Sequence, residues 1–231
     1  SPNGKWLVLV EQAESSWRDD GDIMPNYINE DGRIANNDVR RRVADAKPVK
    51  HGIWLLNLDS RSQRKLSYNS LPGYNEDVLD SVKRENAEAK GENYTANRLP
   101  RDISLMQDWY WSQGAIQWHN DGEKVAIMLE AWDNKDRWLA TVDTVAATLV
   151  NQHRLHDKAW VNYKFNSYGW LNNSDVLYYL SEETGFSHLY IKPLIAKARA
   201  FTLVNNDVDA LTLGSANHLY HFKTIKHNPV I

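Results

Sequence analysis

Three stretches of the chain repeat one pattern of alternating apolar residues set between polar turns. The clearest copy runs from Gly169-Trp170-Leu171 through Asn172-Asn173-Ser174-Asp175 to Val176-Leu177-Tyr178-Tyr179-Leu180-Ser181, then Glu182–Ser187 and His188-Leu189-Tyr190-Ile191. An earlier copy begins at Ile116-Gln117-Trp118, turns at Asn120-Asp121-Gly122, and continues through Val125–Leu129 and Arg137–Val142. A shorter one spans Ala210–Phe222. Self-similarity at a period of roughly 40–50 residues marks propeller blades, each a small antiparallel sheet. The fold class read from this pattern is all-β: a partial β-propeller of four-stranded antiparallel blades. Propellers usually bind, gate or carry a partner domain.

The remaining pattern divides the chain into units. Blade units are expected at about 1–72, 114–151, 169–204 and 207–231, the last incomplete, with insertions at about 11–50 and 73–106. Asn3-Gly4 and Asp121-Gly122 are hairpin-type turn signals placed before apolar runs. Trp6–Val10 reads as an inner strand, His51–Asp59 as the next, and Lys65–Ser67 as the start of an outer one. Between Asn75 and Lys90 the period changes. Asn75 suits a helix start and Gly91 an end, and the few apolar residues predict a surface helix near 75–91.

At 231 residues the chain is too short for seven or eight such blades. The sequence is therefore expected to be a piece of a longer protein, beginning at Ser1 inside a turn-plus-strand unit and stopping at Ile231 where another strand would start. It has no signal peptide and no apolar run long enough to cross a bilayer. With 0 cysteines it can form neither disulfides nor thiolate metal sites. A net charge of −3 gives no basic footprint for nucleic acid, and the short run Arg40-Arg41-Arg42 lies between Asp38 and Asp45 as a solvated patch. The 10 Trp and 11 Tyr suit the wide layers between sheets better than a sugar-stacking platform, because most fall at alternating strand positions.

Motifs that carry chemistry are few. Glu182-Glu183 is an adjacent carboxylate pair, the one candidate for holding a substrate amine. Neighbours on a strand or tight turn point apart, however, and Gly185 marks a hairpin loop. His153-x-x-His156 and His218-x-x-His221 have a metal-like spacing only on a helix, and His218 and His221 fall in a strand pattern. Asp19, Asp20 and Asp22 around Gly21 lack the closing Glu of a calcium loop. Ser112 precedes Gly114 but follows Tyr110, so it forms no Gly-x-Ser-x-Gly, and there is no phosphate-cradling glycine loop. No catalytic residue, metal ligand or cofactor site is expected in this chain.

The segment Trp170-Leu171-Asn172-Asn173-Ser174-Asp175 through Tyr179-Leu180-Ser181-Glu182-Glu183-Thr184-Gly185-Phe186-Ser187-His188-Leu189-Tyr190 resembles a blade pattern of the prolyl oligopeptidase and dipeptidyl peptidase IV family. Ser1-Pro2-Asn3-Gly4-Lys5-Trp6-Leu7 is similar to that family's recurrent Ser-Pro-Asp-Gly-Lys unit. Met24–Tyr27 and Asp133–Trp138 look like a bacterial long-insert branch. The resemblance implies an N-terminal propeller that caps a C-terminal α/β-hydrolase domain, absent here, which would carry the Ser, Asp and His. It also implies peptide substrates reached through the parent enzyme, and a parent placed in the periplasm or otherwise exported, with the cytoplasm left open. In the dipeptidyl peptidases a glutamate pair on the propeller holds the substrate's free amine. Glu182-Glu183 lies in the hairpin motif and not in that pair's helical context, so the role is not carried over. Two rival readings remain, a non-enzymatic propeller scaffold for protein binding and an aromatic-rich carbohydrate-binding module. Exposed blade edges allow a homo-oligomer.

Overall fold

The computed structural model describes residues 1–12, 21–39, 47–106, 114–202, 205–214 and 220–225. The sequence motifs at Asp19, Asp20, Arg40–Arg42, Ser112 and His218 lie outside them. Strand β1 (Trp6–Gln12) is followed by a projecting hairpin, β2 (Asp22–Asn26) and β3 (Ala35–Val39), which pair only with each other. β4 (His51–Asn57) then returns antiparallel to β1, with Trp6 opposite Asn57 and Gln12 opposite His51. β5 (Ser62–Lys65) completes this first sheet.

A surface excursion follows, with α1 (Asp80–Ala89) and β6 (Ile103–Leu105). The second sheet runs β10-β9-β8, from β8 (Val125–Ala131), β9 (Asp136–Asp143) and β10 (Thr148–His156). Both β6 and β7 (Ile116–Trp118) pair with β8, along different lengths of it. The third sheet is β11 (Tyr168–Trp170), β12 (Val176–Ser181), β13 (His188–Pro193) and β14 (Arg199–Ala200), in that order. β15 (Asp207–Leu213) and β16 (Tyr220–Ile225) pair as a fourth.

The chain forms successive antiparallel sheets, of three, five, four and two strands among the described residues beside the β2–β3 hairpin, and three turns show why they repeat. Gly4 N–H donates to Ser1 O at 3.1 Å, Gly122 to His119 O at 2.9 Å, and Ser174 to Leu171 O at 3.3 Å. The side-chain oxygen of Asn3 accepts from Lys5 N–H at 3.1 Å, as that of Asp121 does from Glu123 N–H at 2.8 Å. These are Asx turns, in which a short polar side chain replaces a backbone acceptor and sets the strand that follows. The turn before β1 therefore makes it the counterpart of β8 and β12, which are second strands.

Strand alternation distributes the core between sheets. Val125, Ile127 and Leu129 of β8 pack toward the first sheet with Trp138, Ala140 and Val142 of β9 against Ile53, Leu55 and Leu66. Ala126, Met128 and Leu139 point the other way, onto Tyr168, Trp170, Leu177 and Tyr179. Leu180, Leu189 and Ile191 then face Val208 of the fourth sheet. A strand buried on both faces reads as a continuous apolar run, as Val125–Leu129 does.

The helix keeps its expected end but begins later. Gly91, at φ +72°, closes a Schellman motif: its N–H donates to Glu88 O at 3.0 Å, and Glu92 N–H to Ala87 O at 2.8 Å. The start lies at Asp80 and not near Asn75. The Asp77 carboxylate, which could cap an earlier turn, is taken by Lys83 Nζ at 2.8 Å, the Tyr94 hydroxyl, and Asn97 N–H at 3.0 Å. These partners hold it well below the usual carboxylate range, the Lys83 hydrogen bond contributing most. Only Ala87 of the helix is buried, so α1 contributes little to the core.

What fixes the excursion is a charged hub on Asp136, which is 1% exposed. Its Oδ2 accepts from Arg101 Nη1 at 2.6 Å, and its Oδ1 from Arg154 Nε at 2.7 Å, with His156 Nδ1 3.0 Å away. Arg101 also grips Asp133 with two bonds of 2.9 and 2.6 Å, and Arg154 reaches Glu76 at 2.6 Å. Removing one partner of such a buried cluster typically costs about 3–5 kcal/mol, because the remaining charge stays desolvated.

Trp170 is 9% exposed between the second and third sheets, with its indole N–H on Gln117 O at 3.0 Å and its ring 5.1 Å from that of His119. Trp170→Ala is expected to destabilise the chain by about 3–5 kcal/mol, the usual cost of truncating a buried Trp. Denaturant unfolding followed by circular dichroism measures this. An unchanged midpoint would contradict the packing described here.

Candidate functional site

The carboxylate pair sits where the sequence placed it, in the hairpin between β12 and β13. Gly185 N–H closes the turn on Glu182 O at 2.9 Å. The two side chains have different surroundings. Glu182 is half-buried, and burial raises its carboxyl above the ordinary value, with Asp207 and Asp157 adding to the effect while Arg137 and a hydrogen bond from Asn162 oppose it. Glu183 is exposed and accepts from the Tyr190 hydroxyl, whose pKa is pushed up to about 12, mainly by burial and then by this bond. The hairpin, Asp157 and Trp160 border a recess of about 340 Å³.

Beneath the hairpin lies a constellation that local sequence reading missed. His153 Nε2 is 3.1 Å from Ser181 Oγ, and His153 Nδ1 is 3.8 Å from Glu183 Oε2. The order Ser–His–Glu is that of a catalytic triad, but its geometry does not support one. Ser181 is 0% exposed, and its Oγ already accepts from Glu183 N–H at 3.3 Å, so a substrate carbonyl cannot approach. The Glu183 contact also exceeds hydrogen-bond length. The imidazole stacks on Tyr179 at 4.5 Å, and Tyr179 stacks on Tyr190 at 5.4 Å. Burial, reinforced by the Arg137 charge, lowers the His153 pKa from 6.5 to about 4, so the ring is neutral at physiological pH.

Arg137 supports the hairpin from behind. It donates to Phe165 O at 2.9 Å and Asn162 O at 2.5 Å, and burial pulls its pKa down to about 10. The signal for this role in the sequence is weak: a charged residue at the start of the apolar run Trp138–Val142.

The other candidates are separated by the fold. His153 faces the third sheet and His156 binds Asp136, so they converge on no common ligand. Asp22 begins β2 and accepts from Ile23 N–H at 2.9 Å, and His221 lies in β16. His119, Asp121 and Asp175 bring ligand atoms within 4.8 Å of one another. Lys124 fills that space as the cation, 2.5 Å from Asp121 and 3.1 Å from Asp175. Trp138 and Trp170 are buried between sheets, whereas Trp132 and Trp160 are 42% and 59% exposed.

The His153 shift has a definite sign. The unfolded chain takes up a proton near pH 6.5 and the folded chain only near 4. Stability from this residue is complete above pH 6.5 and is lost as the pH falls toward 4; the raised Glu182 contributes with the opposite sign. The loss over this window from His153 is expected to be roughly 3 kcal/mol at 1.36 kcal/mol per pKa unit. His153→Phe, which retains the ring stack, should flatten that slope in urea titrations run across the window. Identical slopes in both proteins would assign the acid sensitivity elsewhere.

Residues 81–230 match the family model described as the dipeptidyl peptidase IV (DPP IV) N-terminal region. No curated protein matches the chain. Among solved structures, dipeptidyl peptidase 4 from Porphyromonas gingivalis is similar at 18% identity and a TM-score of 0.55, covering 91% of this chain and 24% of that one. A candidate dipeptidyl aminopeptidase IV from Bacteroides ovatus ATCC 8483 is similar at 12% identity and a TM-score of 0.53, covering 91% and 27%. The chain thus spans about a quarter of the length of these structures, which share its fold. With well over half its residues matched, the chain belongs to the dipeptidyl peptidase IV N-terminal region family.

Proposed function

We propose that this chain is the non-catalytic propeller part of a longer serine peptidase of the dipeptidyl or oligopeptidase type. Its blades would restrict access to an α/β-hydrolase domain elsewhere in that protein and help orient short peptides. The observation that carries this reading is the match of a stacked-blade chain to the dipeptidyl peptidase IV N-terminal region. Stacked sheets whose interior positions are filled by side chains form a rigid wall, and such walls select by size through exclusion. Ser181 is too deeply buried to act as nucleophile, which is consistent with chemistry supplied by another domain.

Two measurements test it. The purified 231-residue chain should hydrolyse neither Ala-Pro nor Gly-Pro chromogenic substrates; turnover blocked by a serine-directed inhibitor would overturn the reading. The longer protein should cleave such short peptides about 100-fold or more faster than the same bond held in a folded protein, a difference of at least about 2.7 kcal/mol in transition-state binding. Equal rates would remove the gating role.

The Glu182-Glu183 pair is read as structural. Glu182→Gln with Glu183→Gln should leave the longer protein's preference for a free-amine dipeptide over its N-blocked analogue nearly unchanged. An ammonium clamp would instead lose on the order of 2–5 kcal/mol, and only with the free-amine substrate. The ratio of kcat/KM values for the two substrates decides between them.

A further inference from the structure

The turn before β1 touches the turn before β8 through one side chain. Asn3 crosses from the first sheet, and its Nδ2 donates to Asp121 O at 3.2 Å and to Glu123 Oε1 at 2.9 Å. A Cβ on Gly122 would run into that side chain, so the second turn is open where Asn3 enters. Lys5 Nζ donates to the same Glu123 oxygen at 2.8 Å. The Asn3 contact thus rests on a single amide nitrogen facing two acceptors. The residue after it is Gly4, and Asn3-Gly4 is the chain's sole Asn-Gly pair.

An Asn-Gly pair can react with itself, because no Cβ shields the glycine nitrogen. In the attack a bond forms between Gly4 N and Asn3 Cγ, and the bond between Cγ and Nδ2 breaks. The proton displaced from Gly4 N leaves with the amide group as ammonia. Water then opens the five-membered imide at either carbonyl, leaving aspartate or isoaspartate. The turn already polarises the carbonyl under attack. Ser1 Oγ and Lys5 N–H donate to Asn3 Oδ1 at 2.7 and 3.1 Å, where negative charge would develop. One bond restrains the nucleophile, from Gly4 N–H to Ser1 O at 3.1 Å. Asn3, Gly4 and Lys5 are all exposed, and nothing lies within 4 Å of a Cβ position on Gly4. A lone exposed turn bond of this kind opens without unfolding the sheet behind it.

We propose that Asn3 is a modification site, deamidating within the folded chain, and that the product unties the first sheet from the second at this rim. An aspartate there keeps the turn itself, because its carboxylate can accept from Lys5 N–H as Asp121 accepts from Glu123 N–H at 2.8 Å. What is lost is the donor across the sheets. An oxygen replaces Nδ2 against Asp121 O and the Glu123 carboxylate, and Lys5 is left between two anions. Isoaspartate goes further, since it lengthens the backbone by one carbon and displaces Gly4 from its turn position.

The 231-residue chain would be incubated in mildly alkaline buffer and its peptides followed by mass spectrometry, with the two acidic products separated by chromatography. Conversion at Asn3 should run about tenfold or more ahead of Asn120 and Asn173, whose following residues carry side chains. Asn3→Gln, which needs a larger ring to close, should stay intact at that position. Equal conversion at the three sites, or conversion at Asn3 only in urea, would overturn the proposal. Asn3→Asp then tests the consequence. Hydrogen exchange at the Gly122 and Glu123 amides should quicken by about threefold to fivefold, the scale of an exposed charge contact. Glu123→Gln in that background restores an amide donor facing the new carboxylate and should slow the exchange again. Unchanged exchange in Asn3→Asp would equally overturn the proposal, because the second turn would then not depend on the Asn3 amide.

Discussion

The structure depends on one constraint: the second sheet is buried on both faces, and its strand alternation assigns each residue to one neighbour or the other. Val125 and Ile127 belong to the interface with the first sheet, Ala126 and Met128 to that with the third. A one-residue slip in β8 would exchange these sets and place Val125 against Trp170 while removing Ile127 from Ile53. Register is fixed upstream, where Asp121 Oδ1 accepts from Glu123 N–H and Gly122 N–H donates to His119 O. Four turn residues therefore determine where a much larger apolar set is buried. The same turn ties the sheets together, through Asn3 and Lys5 on Glu123 and through Lys124 on Asp175. These ties are largely exposed and contribute little energy singly. Their effect is geometric, aligning turns at one rim while the apolar faces supply the stability.

Charge plays a different part in the 73–106 excursion. Its helix adds little hydrophobic burial, since α1 buries only Ala87, while Tyr74, Ile103 and Met106 anchor its ends in the core. Arg101 and Arg154 instead converge on Asp136, and Trp138 donates its indole N–H to Pro72 O at 2.9 Å. The excursion is thus docked through directional polar contacts onto β9 and β10, and its path is specified more tightly than its helix content would suggest. Such a cluster adds specificity more than stability, because desolvating the charges offsets much of their attraction.

Blade repetition was legible from sequence because it rests on local rules: a turn residue, then a period-two apolar run. The helix end at Gly91 was legible for the same reason, as only a residue tolerant of positive φ closes a Schellman turn readily. The helix start was not, because Asp77 is captured by Tyr94 and Asn97, and that competition has no signature in the local pattern. The surroundings of Glu182 and Glu183 were half legible. Hairpin and glycine predicted the turn, while the supports from His153 and Arg137 come from other strands and have no mark in the local pattern around Glu182.

The hairpin at Glu182 shows how far a stacked sheet can go toward chemistry. Ser181, His153 and Glu183 stand in triad order, yet alternation along β12 turns Ser181 inward, and the Tyr179–Tyr190 stack excludes the water that a charged imidazole would need. Reactivity would require Ser181 to leave the space between sheets, whereas a register shift would only exchange it for Leu180 in the interface with the fourth sheet. The packing that builds the blade is therefore what keeps its serine inert. In a fold of this kind, chemistry and recognition are confined to rims, turns and neighbouring domains, where a side chain can be presented without unpacking the stack.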